Sequence, residues 1–176
     1  LSRLHLAPFN REDAAAIYAF MGDRAAMEFT YVAPTLAACT ERLQAWENRR
    51  TVDRFAPWVV RSPEQRVIGW GGLGVDPEDL AWGPEVIYAL HPSTWGLGYA
   101  TELVRLTLHL AFNELGLPSV AAFVHRGNAA SLAVLRKCAG TYLGFASTLD
   151  REHFRFTAPA TVGEGTAVRG WKTGAV

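Results

Sequence analysis

The chain has 176 residues, 49% of them hydrophobic, and its 17 Lys and Arg are matched by 17 Asp and Glu. That length suits one domain with a single sizeable core, and the zero net charge argues against a broad basic surface for nucleic acid or anionic lipid. No run approaches the ~18 apolar residues of a membrane helix, and Leu1-Ser2-Arg3-Leu4-His5 lacks a signal-peptide core, so a cytoplasmic protein with no membrane partner is expected.

The first residue is leucine, not methionine, which leaves a trimmed or renumbered leader open. Leu4, Leu6 and Phe9 predict a short strand. Asn10 then caps a helix with Asp13 at its third position and Ala14, Ile17, Tyr18 and Met21 on one face, ending at Gly22. After a loop around Phe29 and Tyr31, Pro34-Thr35 opens a second helix on which Leu36, Cys39, Leu43 and Trp46 recur at helical spacing. Arg49-Arg50 is expected to face solvent near its end, where cations suit the dipole.

Trp58-Val59-Val60 and Val67-Ile68-Gly69-Trp70 read as a hairpin turning at Ser62-Pro63-Glu64-Gln65. Gly69, Gly71, Gly72 and Gly74 are many for a strand. They mark a bulge or ligand-approach surface, or a twisted ordinary strand, the plainer reading. The polar loop Asp76-Pro77-Glu78-Asp79 leads to a strand from Glu85 to Leu90. From Ala100, the positions Leu103, Val104, Leu108, Ala111, Phe112 and Leu115 follow a helical rhythm that Gly116 and Pro118 stop. The apolar run Val120 to Val124 then predicts a buried strand, completing a strand, crossover helix, strand unit. Asn128 opens a short helix through Leu135 and Cys138, and Phe145 with Phe154-Arg155-Phe156 suggests a last hairpin. Beyond Thr161 no pattern is assignable. Cys39 and Cys138, without CxxC or Cys/His spacing, read as free thiols and not as a metal site.

The most informative stretch is Leu90-His91-Pro92-Ser93-Thr94-Trp95-Gly96-Leu97-Gly98-Tyr99-Ala100-Thr101-Glu102. It joins a strand to the long helix through a glycine-rich turn, so successive N–H groups and the helix dipole can converge on an anion. Gly96 and Gly98 allow unusual dihedrals and close approach. A phosphate-bearing ligand is expected there.

Four segments together resemble the GNAT superfamily of acyl-CoA-dependent N-acyltransferases, within it the RimJ/RimL-like branch. They are Arg3 to Phe9 before Asp13-Ala14, Glu85 to Pro92, Trp95 to Glu102, and Asn128-Ala129-Ala130-Ser131. The likeness runs from about residue 3 to residue 140 of a single domain spanning 1–176; the acceptor side after 141 transfers least. It implies an α/β fold with a V-shaped, mostly antiparallel sheet of about six to seven strands and about four helices. Acetyl-CoA would lie where the strands ending at Leu90 and Val124 splay apart. By the same resemblance the cofactor contacts fall on Leu90, His91, Trp95, Gly96, Leu97, Gly98, Tyr99, Ala100, Thr101, Asn128 and Ser131, with Trp95 at a position often held by Arg or Gln. No metal is implied.

The implied reaction moves acetyl from acetyl-CoA to a primary amine by direct attack in a ternary complex. Because amines have pKa values of ~8 to ~10, a base helps. Glu85 is the candidate, the alternative being a strand carboxylate that orients substrate. The leaving thiolate, whose acid has a pKa near ~8.5, calls for a hydroxyl donor. Leu135 occupies the position where many members carry a tyrosine, which shifts that role to Ser131 or to water; Ser131 reads equally as a helix-start hydroxyl. Phe29, Tyr31 and Tyr88 are nominated for the acceptor pocket, while Trp46, Trp58, Trp70 and Trp82 read as packing. His91 and His125 read as hydrogen-bonded loop residues. The acceptor is an amine-bearing small molecule or a protein N-terminus, and a homodimer is in keeping with such relatives. Two other readings stand beside this one. A non-catalytic acyl-CoA-binding or sensor domain draws on Leu135, and a Rossmann-type nucleotide site on the partial GxGxxG, although its next strand ends Val124-His125-Arg126 without an acidic residue for a ribose.

Overall fold

In a computed structural model of the chain, which describes residues 2–160, seven strands form one sheet in the order β1-β2-β3-β4-β5-β7-β6. The strands are β1 (His5–Ala7), β2 (Trp58–Arg61), β3 (Val67–Val75), β4 (Pro84–Leu90), β5 (Ser119–Val124), β6 (Thr141–Ala146) and β7 (Arg151–Thr157), and every neighbouring pair is antiparallel except β4 and β5. The helices are α1 (Ala14–Met21), α2 (Leu36–Asn48), the single turn α3 (Arg50–Asp53), α4 (Tyr99–His109) and α5 (Ala129–Lys137). This is the mixed, mostly antiparallel open sheet expected from the sequence.

Consecutive strand residues point to opposite faces, and both faces are covered. On β2, Val59 joins a cluster with Ile17 and Phe20 of α1 and Leu43 and Trp46 of α2, whereas Val60 joins Leu4, Ile68, Leu90 and Leu103 of α4. Val104, the next residue of α4, packs into a third cluster with Leu73, Val120, Leu135 and Phe154. Asn10 and Thr35 cap as expected, their side chains accepting from the N–H groups of Glu12 and Ala38.

Two expectations need correction. Arg49 and Arg50 do not simply face solvent: Arg49 forms a paired contact with Asp53 (2.8 Å), while Arg50 pairs with Glu47 (2.5 Å) and donates to the carbonyls of Ala56 (3.2 Å) and Pro57 (3.0 Å). The guanidinium thereby ties the end of α2 to the start of β2. The helical rhythm from Ala100 also does not run unbroken to Leu115. After His109 the chain forms one π turn, Leu110–Glu114, with the Leu115 N–H reaching the Leu110 carbonyl. The wider turn keeps Ala111 buried and leaves Phe112 and Leu115 half-buried.

The glycines of β3 are packing devices. A Cβ on Gly71 would stand 2.5 Å from the Ile87 carbonyl oxygen and 2.6 Å from the Tyr88 Cα, and one on Gly74 would meet the Trp46 ring at 2.5 Å. Small residues here let β4 and the α2 indole lie close against β3. Gly71→Ala is therefore expected to destabilise the protein by about 1–3 kcal/mol through overpacking, read as a lowered urea midpoint with an unchanged m-value.

Candidate active site

The parallel pair β4–β5 is short. Only Glu85↔Ala121 and Val86↔Ala122 are in register, although β4 pairs with β3 over its whole length and β5 with β7 likewise. From Ile87 onward β4 parts from β5. The gap opens into two adjoining cavities, of about 610 Å³ and about 310 Å³, whose shared wall includes Phe29, Tyr88, Asn128 and Ser131.

The larger cavity is lined by Leu90, Thr94, Trp95, Gly96, Gly98, Tyr99, Ala100 and Thr101 on one side and by Asn128 to Ser131 on the other. Gly96 and Gly98 both adopt left-handed dihedrals (φ 76° and 83°), which a residue with a Cβ rarely does. Among the described residues, no carbonyl or side chain accepts from the N–H groups of Gly96, Leu97, Gly98, Tyr99 or Ala100; the first bond of α4 runs from Glu102 to the Gly98 carbonyl. These free donors at a helix start are the chemistry of an anion cradle and fit a diphosphate. A Cβ on Gly96 would meet nothing within 4 Å, so the loop is open to a ligand.

Of the residues predicted for this side, His91 and Leu97 do not line the cavity. The His91 ring nitrogen accepts from the Ser93 N–H (3.2 Å), and Leu97 gives its carbonyl to Arg3 (3.1 Å). Trp95 lines the cavity and also donates its indole N–H to the Leu90 carbonyl at 2.9 Å, capping an acceptor that the parting of the strands leaves open. Arg3 was missed as a site neighbour. Its Nε pairs with Glu102 at 3.0 Å, its guanidinium lies 4.6 Å from the Tyr99 ring centroid, and so the first strand is tied to the glycine loop. Burial alone pushes the Glu102 carboxyl up, but the Arg3 and Ser2 hydrogen bonds outweigh it and hold the group below its ordinary value.

The smaller cavity holds Glu85, with Tyr31, Arg42, Asp76, Asp79, Trp82, Phe123, His125 and Arg151 around it. Burial, then the charge of Asp76, push the Glu85 carboxyl from 4.5 up to about 8; Arg42 pulls it back, and Asp79 adds the smallest push. Arg42 lies over the Tyr31 ring (4.3 Å) and is 3.9 Å from Glu78. His125 stacks on Phe29 (centroids 5.3 Å) and accepts from the Gly127 N–H, the loop role expected of it. Trp46 and Trp70 pack edge to face in the core, as expected, but Trp82 lines this cavity, packed edge-on against Phe123 (4.9 Å). Phe29, Tyr31 and Tyr88, nominated from sequence for the acceptor pocket, all line this cavity, and the Asp76 to Asp79 loop joins them as a concentration of charge just before the Glu85 strand.

At the shared wall, the Asn128 side chain accepts from the Ser131 N–H (3.1 Å) and so caps α5. The Tyr88 hydroxyl donates to Ser131 Oγ at 3.2 Å. Leu135 is 3% exposed; it packs with Val104 and Phe154 and also forms part of the smaller cavity's wall. The described residues contain no helix long and apolar enough to cross a membrane and no cluster of three metal-binding side chains. Both cysteines are free thiols, Cys39 buried and Cys138 half-buried.

The family model described as "Acetyltransferase (GNAT) domain" matches residues 3–141. Among solved structures, an acetyltransferase from Agrobacterium tumefaciens aligns with a TM-score of 0.75 at 23% identity, covering 88% of this chain and 91% of its own. RimJ of Mycobacterium smegmatis, solved with CoA-disulfide, aligns at 0.74 and 19% identity over 88% and 82% of the two chains. Aminoglycoside acetyltransferase AAC(6')-Ib, solved with coenzyme A and kanamycin, aligns at 0.72 and 19% identity over 88% and 94%. At these identities the likeness is one of fold.

The burial of Glu85 carries its own stability signature. Between pH 4.5 and about 8 the unfolded chain has lost this proton while the folded chain keeps it, so the group's contribution to stability falls as pH rises through that window. Glu85→Gln is therefore expected to stabilise the fold increasingly from pH 5 to pH 8.5, by up to a few kcal/mol at about 1.4 kcal/mol per tenfold change in proton affinity. Urea melts of both proteins across that range check it.

Proposed function

This chain belongs to the GNAT family of acetyltransferases, and we propose that it transfers the acetyl group of acetyl-CoA to a primary amine by direct attack in a ternary complex. The observation that carries the reading is the meeting of two unlike cavities at the parting of β4 and β5. One offers free N–H donors at a helix start; the other offers a carboxyl with a pKa near 8.

The larger cavity suits a long co-substrate whose diphosphate lies at Gly96 to Ala100 and whose thioester reaches Asn128 and Ser131. The smaller one suits the amine. Asp76 and Asp79 supply negative charge for an arriving ammonium group, set against the cations Arg42 and Arg151 on the same wall, and Trp82 supplies an aromatic surface of the kind cations favour. Glu85 takes the proton that the amine must lose, directly or through water. A carboxyl near pKa 8 is matched to an amine of pKa ~8 to ~10, where one at 4.5 is too weak a base. Ser131 donates to the departing sulfur. Holding both reactants aligned supplies the larger share of the rate, up to ~7–11 kcal/mol from approximation.

The acceptor is a small amine or a protein N-terminus. The solved relatives include both an aminoglycoside acetyltransferase and a ribosomal-protein-S5-alanine acetyltransferase, so a test panel spans aminoglycosides, polyamines and N-terminal peptides. Thiol release from acetyl-CoA, with mass spectrometry of the product, identifies the substrate. Tight acetyl-CoA binding without turnover on any amine would instead support the sensor reading, to which the buried Leu135 lends weight.

Two results are expected once an acceptor is found. The rate rises with pH through about 8, its midpoint holding steady across amines of different basicity, and Glu85→Gln abolishes that rise with a loss of about 10²–10⁴ in kcat. A midpoint that tracks the amine's own pKa would remove Glu85 from the base role. Gly98→Val, which forces a β-branched residue into a left-handed position, is expected to weaken acetyl-CoA binding at least about tenfold by calorimetry; unchanged affinity would contradict the cradle.

A further inference from the structure

Resting on the acetyl-transfer reading, we propose that Tyr88 acts through Ser131 as the second member of a hydroxyl relay that delivers a proton to the departing thiolate. The relay replaces the single tyrosine that position 135 lacks. Leu135 lines the smaller cavity with an apolar side chain, so position 135 brings no hydroxyl to the cavity junction. Tyr88 arrives from the opposite direction, on β4, and its hydroxyl donates to Ser131 Oγ at 3.2 Å. Both residues line both cavities, which places the pair where thioester and amine meet.

The pair is held from each end. Ser131 sits in the first turn of α5, where its N–H is bound by Asn128 Oδ1. Tyr88 lies opposite Gly71 in the β3–β4 register, and the missing Cβ of Gly71 leaves the space its Cα and Cβ fill. Burial also keeps the phenol protonated, as a donor must be.

The protons balance as follows. The amine, having shed its ammonium proton to solvent, bonds through nitrogen to the acetyl carbon and loses one further proton to Glu85. The carbon–sulfur bond breaks, its electron pair leaving with sulfur, which takes the Ser131 hydroxyl proton while Ser131 Oγ takes the proton of Tyr88. The phenolate recovers a proton from Glu85 through water in the smaller cavity, which both residues line. One proton has then passed from nitrogen to sulfur, and every side chain is restored.

The test uses acetyl-CoA with whichever panel amine turns over fastest, comparing the parent with Tyr88→Phe, Ser131→Ala and the double variant. Tyr88→Phe is expected to lower kcat about 10–100-fold with the KM for acetyl-CoA within about twofold. The double variant falls no further than Ser131→Ala alone, because two members of one chain do not contribute independently. Rates in mixtures of light and heavy water curve in the parent, where two protons move together, and become linear in Tyr88→Phe. Replacing Tyr88 with 3-fluorotyrosine, which keeps shape and hydroxyl, retains kcat within a few-fold and the curvature.

Full kcat in Tyr88→Phe, a loss confined to the acetyl-CoA KM, or losses that multiply in the double variant would overturn the relay alone. A parent that turns over no amine overturns the acetyl-transfer reading and the relay with it.

Discussion

Beyond Val86 and Ala122, β4 and β5 cease to be hydrogen-bonding neighbours, and the site is made from what that separation leaves behind. Parting two strands inside a sheet is costly, since each exposed N–H and carbonyl must find another partner. Here the gap is wedged and partly re-satisfied from the sequence around it. Phe29 stacks on His125, and a Cβ on Gly127 would stand 2.9 Å from the Phe29 ring, so that loop and the turn before α5 fit together only because position 127 is glycine. The Trp95 indole takes the Leu90 carbonyl. Trp95 thus does structural service at the mouth of the slot. The glycine loop behind it keeps its own N–H groups free.

Charge around that loop is arranged to keep it receptive. Glu102 sits in the first turn of α4, where a carboxylate suits the helix dipole but would repel an anion at the same helix start. Arg3 removes the conflict. Its main-chain N–H and Nε both bind the Glu102 carboxylate, its Nη1 holds the Leu97 carbonyl, and its remaining nitrogen stands 3.5 Å from where a Gly98 Cβ would be. The pair therefore presents no net negative charge to the loop. The same contacts add a tie from the start of the chain to α4, beside the pairing that holds the three-residue β1 on β2.

How much of this the sequence disclosed depends on how local the cause is. Strands and caps set by neighbouring residues were legible: Asn10, Thr35, Gly22 and Asn128 end or begin helices as read, and the hairpin turns at Ser62 to Gln65. The cradle was legible because its residues are consecutive. Features assembled from distant segments were not. Arg49 and Arg50 look like solvated cations until Asp53, Glu47 and the Ala56 and Pro57 carbonyls are brought beside them. The wall of the smaller cavity draws on the Asp76 to Asp79 loop, Trp82, Phe123 and Arg151, four places with no shared pattern. Leu135 was visible as a departure, but that Tyr88 faces Ser131 across the gap depends on the β3–β4 register. The tail beyond Thr161, left unassigned from sequence, lies outside the described residues.

The two ionisable groups that matter most in the site respond to burial in the same direction. Glu85 and Tyr88 are both acids, and low polarity favours the protonated form of each. Near neutrality these two groups therefore hold protons, and the charges around the smaller cavity are those of Asp76, Asp79, Arg42 and Arg151. In the proposed transfer, a carboxyl that gives up its proton only near pH 8 binds firmly the proton released by the amine that has attacked the thioester. In the proposed relay, a phenol that resists ionising releases its proton only as negative charge gathers on the departing sulfur. Filling the larger cavity with a co-substrate excludes more water and strengthens both tendencies, since electrostatic interactions sharpen as the local dielectric falls. The same divergence of two strands that admits the substrates thus also sets the polarity in which their protons are exchanged.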